Sequence, residues 1–253
     1  MKKILFVLIV LGSSIVNGQS FEDLKDKKDR NVYEDGWFAL MLRYTGVNGK
    51  ADYKIGGLTG NVNIRHAKIG KGKISGQYEN VTLGDMIWLL GHMDRDKDID
   101  HAFGAGWLGW FQGYYNVASS DKLIVSPGIS LCDYIYGSKV QTETSPGVFS
   151  NEPFGYYFTA GPSVRTSYLI NKDFWVDGIA TLDIPYVSFK HGTGSNVITE
   201  KGYPNPWFTN FTATVFHKSK LFFSVRLSQG WDRGGNGGNA SRTDISLGYQ
   251  FLK

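Results

Sequence analysis

The stretch RTDISLGYQFLK, residues 242–253, decides the fold. Ile245, Leu247, Tyr249 and Phe251 occupy one parity, and Asp244, Ser246, Gly248 and Gln250 the other. A period of two places successive side chains on opposite faces of an extended strand, so the segment carries one apolar and one polar face. The pattern recurs upstream. Leu221, Phe223, Val225 and Leu227 alternate with Phe222, Ser224, Arg226 and Ser228. Phe174, Val176, Gly178, Ala180, Leu182, Ile184 and Tyr186 alternate with Trp175, Asp177, Ile179, Thr181, Asp183 and Pro185. A soluble strand is usually about five or six residues long. Faces that persist over about nine or more residues have the length of a tilted bilayer crossing.

Working outward from these three segments, ten strands are expected, over 37–45, 58–68, 73–90, 102–117, 122–136, 155–169, 174–189, 206–217, 220–231 and 242–252. The third is the least regular: it reads either as a strand with a bulge near Glu79 and Asn80, or as a short strand followed by a helical turn from Thr82. Connections alternate in length. The gaps 46–57, 91–101, 137–154, 190–205 and 232–241 are long, while 69–72, 118–121, 170–173 and 218–219 are short. Long loops at one end and tight turns at the other define an all-β, up-and-down antiparallel transmembrane β-barrel of about 10 strands, with 8 and 12 as alternatives. Aromatic side chains near the strand ends, among them Trp37, Tyr168, Tyr186, Trp207 and Phe251, suit two interfacial girdles. A secreted, soluble β-sandwich or barrel used in adhesion or carbohydrate binding is the alternative architecture, since buried faces alternate there too.

The first residues agree with the membrane reading. Lys2 and Lys3 precede the apolar run ILFVLIVLG, and Val16 and Gly18 stand at the small-residue positions of a cleavage site. We expect a signal peptide over 1–18, a charged periplasmic leader over 19–36 and the barrel domain over 37–253. Loss of Lys2 and Lys3 from 27 basic residues leaves 25 against 23 acidic ones, a balance that offers nothing to nucleic acid. Cys132 is alone, so no internal disulfide forms.

The ending at 242–253 resembles that of bacterial outer-membrane β-barrel proteins, which commonly finish in an aromatic residue read by the barrel-assembly machinery. Here the aromatic is Phe251, displaced from the terminus by Leu252 and Lys253. The resemblance spans 37–253 and implies residence in the bacterial outer membrane, with its lipids and that machinery as partners. It brings no catalytic or ligand-binding residue with it.

With the apolar faces toward lipid, the other faces supply an interior network of Arg43, Arg65, Arg165 and Arg226 with Asp177, Asp183 and Asp244. In a bore of about ten strands such groups can meet across the lumen and hold the wall shut. Alternatively, they line a narrow polar path for a small solute. Trp110, Tyr114, Tyr157 and Phe222 narrow the bore further. The expected role is therefore structural, binding or limited passage, with long extracellular loops free to meet a ligand.

Candidate chemistry is sparse. A lipid-modifying barrel hydrolase would need His191 and Ser195, from HGTGS, to meet an orienting group such as Asp183, but no nucleophile-elbow pattern surrounds the serine. No histidine spacing forms a zinc site, and no cofactor is called for. In DRDKDIDHAFGAGWLGWFQG, residues 94–113, Asp94, Asp96, Asp98 and Asp100 offer hard oxygens for calcium. They lack the glycine and terminal glutamate of a calcium loop, and Arg95 and Lys97 offset their charge. The stretch reads instead as an outward loop followed by descent into the bilayer. Phe103, Ala105, Trp107, Gly109 and Phe111 recur with a period of two there; Trp107, Phe111 and Tyr115 are expected to face lipid, and Gly104, Gly106, Gln112 and Asn116 the bore.

Overall fold

The computed structural model describes residues 37–47, 59–69, 72–80, 85, 102–119, 122–137, 141–146, 148–151, 155–190, 206–232 and 239–252. The expected signal peptide and leader, the aspartate loop 94–100, His191 and Ser195 lie outside the described residues. Thirteen strands are present among those described: β1 (Trp37–Val47), β2 (Thr59–Ile69), β3 (Gly72–Asn80), β4 (Ala102–Tyr115), β5 (Ala118–Ser119), β6 (Leu123–Gly137), β7 (Gln141–Ser145), β8 (Val148–Asn151), β9 (Gly155–Leu169), β10 (Phe174–Lys190), β11 (Pro206–His217), β12 (Leu221–Asp232) and β13 (Ala240–Leu252).

Eleven of these form one antiparallel sheet, and β4 pairs with β6 as well as with β3. β5 pairs only with β6. Leaving it out, ten strands follow one another round the wall and return to the start, because β1 pairs with β13 along its whole length, from Trp37 opposite Leu252 to Val47 opposite Arg242. Joining the first strand to the last pairs backbone amides that an open sheet would leave bare in hydrocarbon. β7 and β8 form a separate hairpin in the long connection between β6 and β9.

The wall is inverted relative to a soluble protein. Leu42, Leu131, Phe211, Phe223 and Leu247 are exposed on its outer face, while Arg43, Gln112, Ser130, Asp177, Arg226 and Asp244 are buried within. Short turns are built locally. Asn171 Oδ1 accepts the amides of Asp173 and Phe174 at 2.9 and 3.0 Å, closing the β9–β10 turn. Lys220 closes the β11–β12 turn at φ 73°, a conformation that costs a non-glycine residue about 1–2 kcal/mol.

Of the two readings of the third segment, the short strand followed by a helical turn is the one that fits: β3 spans Gly72–Asn80, and Asp85 beyond it is helical. On β4, Trp107, Phe111 and Tyr115 are exposed as expected, but Phe103 and Ala105, which share their parity, are buried inside. The cause is a wide bulge: Ala105 pairs with Tyr134 and the next pair is Trp110 with Cys132, so residues 106–109 stand opposite Asp133 alone. Gly109 adopts φ 77° in this bulge, and the inward parity passes from Phe103 and Ala105 to Trp110, Gln112 and Tyr114. Gly106 lies against Asp133 rather than looking into the bore. A smaller slip between Pro185 and Val187 moves the inward parity of β10 from Asp183 to Ser188.

Candidate functional site in the barrel interior

The interior is layered. Near the short turns, Trp175 and Phe216 stack at 5.3 Å between centroids and 10° between planes, with Phe222 at 5.6 Å from Phe216. Ala39, Met41 and Leu169 complete this plug. Near the loop end, Tyr134 and Phe208 stack at 4.1 Å, and the rings of Phe103, Tyr136 and Tyr157 surround Phe208 at 5.6, 5.5 and 6.1 Å. Each aromatic layer arises because long strands carry a ring at an inward position near their ends, where the bore can be filled only by large side chains.

Charged groups occupy the space between. Arg226 on β12 lies with Cζ 4.0 Å from the ring centroid of Trp110, and Arg43 and Arg242 lie at 5.6 and 5.5 Å from the same ring. Three guanidiniums thus share one indole, an arrangement whose quadrupole attraction is strongest when water is excluded. Their charge is met by carboxylates. Glu79 on β3 accepts from both Arg43 and Arg226, bridging β1 to β12 across the bore. Arg226 Nε donates to Thr212 Oγ1 at 3.0 Å, and Arg43 Nε to Ser246 Oγ at 3.3 Å. Arg242 holds Asp85 in a two-pronged contact at 2.8 and 3.2 Å, and its Nε donates to both oxygens of Asp244 at 3.0 and 3.1 Å. Thr45 Oγ1 donates to Asp244 at 2.7 Å. Backbone groups of β4 join the same cluster: Phe103 accepts from Arg242 at 2.9 Å and the Ala105 amide donates to Asp85 at 2.7 Å.

Two further groups stand beside this cluster. Arg165 on β9 pairs with Asp177 on its neighbour β10. Asp183 accepts from four uncharged donors: Ser130 Oγ, Tyr134 Oη at 2.6 Å, Thr181 Oγ1 at 3.0 Å and Asn210 Nδ2 at 2.9 Å. A carboxylate buried without a cation is tolerable only with such a full set of donors.

Of the seven residues expected in the lumen, Arg43, Arg226 and Asp244 therefore meet around Trp110, Arg165 pairs with Asp177, and Asp183 stands in a neutral network. Arg65 lies on β2 opposite Ser75, and its side chain is outside the described residues. Sequence reasoning missed Glu79, Asp85 and Arg242. Glu79 and Gln77 alternate with outward Tyr78, and Arg242 shares the parity of Asp244, so both carried a readable signal. Asp85 lies beyond the end of β3, where no period announces it.

Between the aromatic layers, a cavity lined by Arg43, Gln77, Glu79, Ile179, Phe216 and Arg226, among others, has a volume of about 20 Å³, room for one water molecule. The buried Arg43 Nη1, which has no hydrogen-bond partner among the described residues, is a donor such a water would satisfy.

No family model matches the chain, and no curated protein matches it. Solved structures similar to it include the NanC porin, at 10% identity, covering 85% of this chain and 100% of that one, with a TM-score of 0.32. The outer membrane enzyme PagL shows 11% identity, 86% and 99% coverage and a TM-score of 0.30. The KdgM porin in complex with disordered oligogalacturonate shows 10% identity, 84% and 99% coverage and a TM-score of 0.27. At these values the likeness reaches neither a transport path nor an activity. The closed wall itself, apolar outside and polar within, makes this chain an up-and-down transmembrane β-barrel with a polar interior.

Proposed function

We propose that the protein is an outer-membrane barrel that remains closed, with its work done by what the loop end binds rather than by conduction. The observation that carries this reading is the packing among the described residues: two aromatic layers enclose a charge-paired middle that holds a cavity of about 20 Å³. Arg43, Glu79, Arg226, Arg242, Asp85 and Asp244 tie four wall strands and the segment holding Asp85 together, which is the role a cross-bore network performs in a structural barrel. Export by residues 1–18, a periplasmic leader over 19–36 and recognition of the last strand by the assembly machinery belong to the same proposal. The extracellular partner is a ligand of the long loops.

Reconstitution into planar lipid bilayers tests the reading. Folded protein, verified by heat-modifiable migration, should give no steady open-pore current. A stable ohmic conductance would replace it with the second reading, limited passage of a small solute, which the polar lining of the lumen favours.

A further inference from the structure

We infer that the outer wall carries a binding site for one lipid acyl chain, on the groove created by the β4 bulge. The groove has a volume of about 280 Å³ and is lined by Leu108, Gly109, Phe111, Leu131, Phe158 and Tyr186, with Tyr78 and Cys132 at its base. Leu108, Phe111, Leu131 and Tyr186 are exposed on the face that the barrel turns to hydrocarbon. The groove is therefore continuous with the lipid-facing wall.

The bulge that shapes the groove is anchored from beneath. Asp133 shares the outward parity of Leu131, yet it is fully buried because residues 106–109 arch over it. Its Oδ2 accepts the Leu108 amide at 2.9 Å and its Oδ1 accepts the Gly109 amide at 2.6 Å. Gly106 permits the approach: a Cβ there would lie 2.4 Å from Oδ2. The Leu108 and Gly109 amides, which the bulge takes out of the ladder, are thereby satisfied within the bilayer.

Chemistry at this depth selects the occupant. Water has no polar partners on an apolar lining and does not fill such a space. An acyl chain gains nothing by the hydrophobic effect on moving from lipid to groove, so its preference rests on packing, as for helices that associate within membranes. An unfilled groove would forfeit the dispersion contacts of every side chain along it. One flexible chain from the loop-side leaflet restores them, whereas a second copy would need a complementary ridge.

Photolabelling decides the matter. Wild-type protein is reconstituted into phosphatidylcholine vesicles containing a lipid with a diazirine on its acyl chain, irradiated, digested and mapped by mass spectrometry. Adducts at residues 108–111, Leu131, Phe158 and Tyr186 should exceed those at exposed Leu227 and Leu247 by about fivefold, the ratio that roughly 1 kcal/mol of extra packing confers. Leu131→Trp, which fills the groove from an exposed position, should reduce labelling there to the level at Leu227, and Leu247→Trp should leave it unchanged. Leu108→Trp provides the same reading if Leu131→Trp does not fold. Even labelling around the wall, enrichment that survives the filling substitution in a folded barrel, or protein-to-protein cross-links at the groove would each overturn the inference.

Discussion

Consider the substitution Glu79→Gln, which keeps the shape of the side chain and removes its charge. Glu79 is the shared partner of Arg43 and Arg226, and the three side chains are only 4–7% exposed. Removing the common anion leaves two guanidiniums facing each other where the cavity has room for about one water molecule. Breaking a buried ion pair from one side costs about 3–5 kcal/mol. The lower end applies here, because Arg226 keeps Thr212 and the face of Trp110, and Arg43 keeps Ser246. A loss of about 3 kcal/mol is a change of roughly a hundredfold in the unfolding equilibrium. Urea titration of the reconstituted barrel, followed by heat-modifiable migration and tryptophan fluorescence, measures it. Adding Arg226→Gln should restore part of the loss, since it removes one of the two stranded charges. A Glu79→Gln barrel within about 1 kcal/mol of wild type, the worth of a surface pair, would refute the claim that this contact is buried and shared.

Other predictions follow from contacts elsewhere. A Cβ added at Gly161 would lie 1.7 Å from the Leu182 carbonyl oxygen, on the backbone of the next strand. Gly161→Ala should therefore destabilise the barrel by the upper part of about 1–3 kcal/mol in the same urea titration; a neutral result would place β9 and β10 further apart. In the short turns, the hydrogen bond from Lys218 holds the Asp173 carboxyl below the usual aspartate range. That pairing contributes stability present above the unfolded carboxyl's titration and lost as pH falls through the lower folded value. Carboxyl NMR should find Asp173 titrating low, and Lys218→Met should return it to the ordinary range.

Much of the architecture was legible because a membrane wall writes a strict period of two. β12 and β13 match their expected faces throughout, as does β10 up to Asp183, and the ten wall strands follow from the alternation of long and short gaps. Legibility failed where that period breaks. The bulge at residues 106–109 carries Phe103 and Ala105 to the face opposite the one their spacing implied, and only an outward, buried Asp133 on another strand holds it there. The interior pairs were legible as residue types but not as partners. Arg226 finds Glu79 from a strand 147 residues away, and nothing along the chain distinguishes that choice from the nearer Asp244, which directly opposes Arg226 on β13. Asp85 could not have been found by period at all, since it belongs to no strand.

The lone cysteine offers the most direct test of the closed bore. Cys132 is buried on the inner side of β6, within the aromatic cluster that contains Trp110, Tyr134 and Phe208. Cys132 also borders the outer groove, which faces hydrocarbon and admits no charged reagent, so a charged, water-soluble methanethiosulfonate added to folded barrels in vesicles reaches this thiol through an open lumen. The closed barrel predicts no modification by mass spectrometry until the protein is unfolded, and then complete modification. Rapid labelling of Cys132 in barrels that still migrate as folded would contradict it.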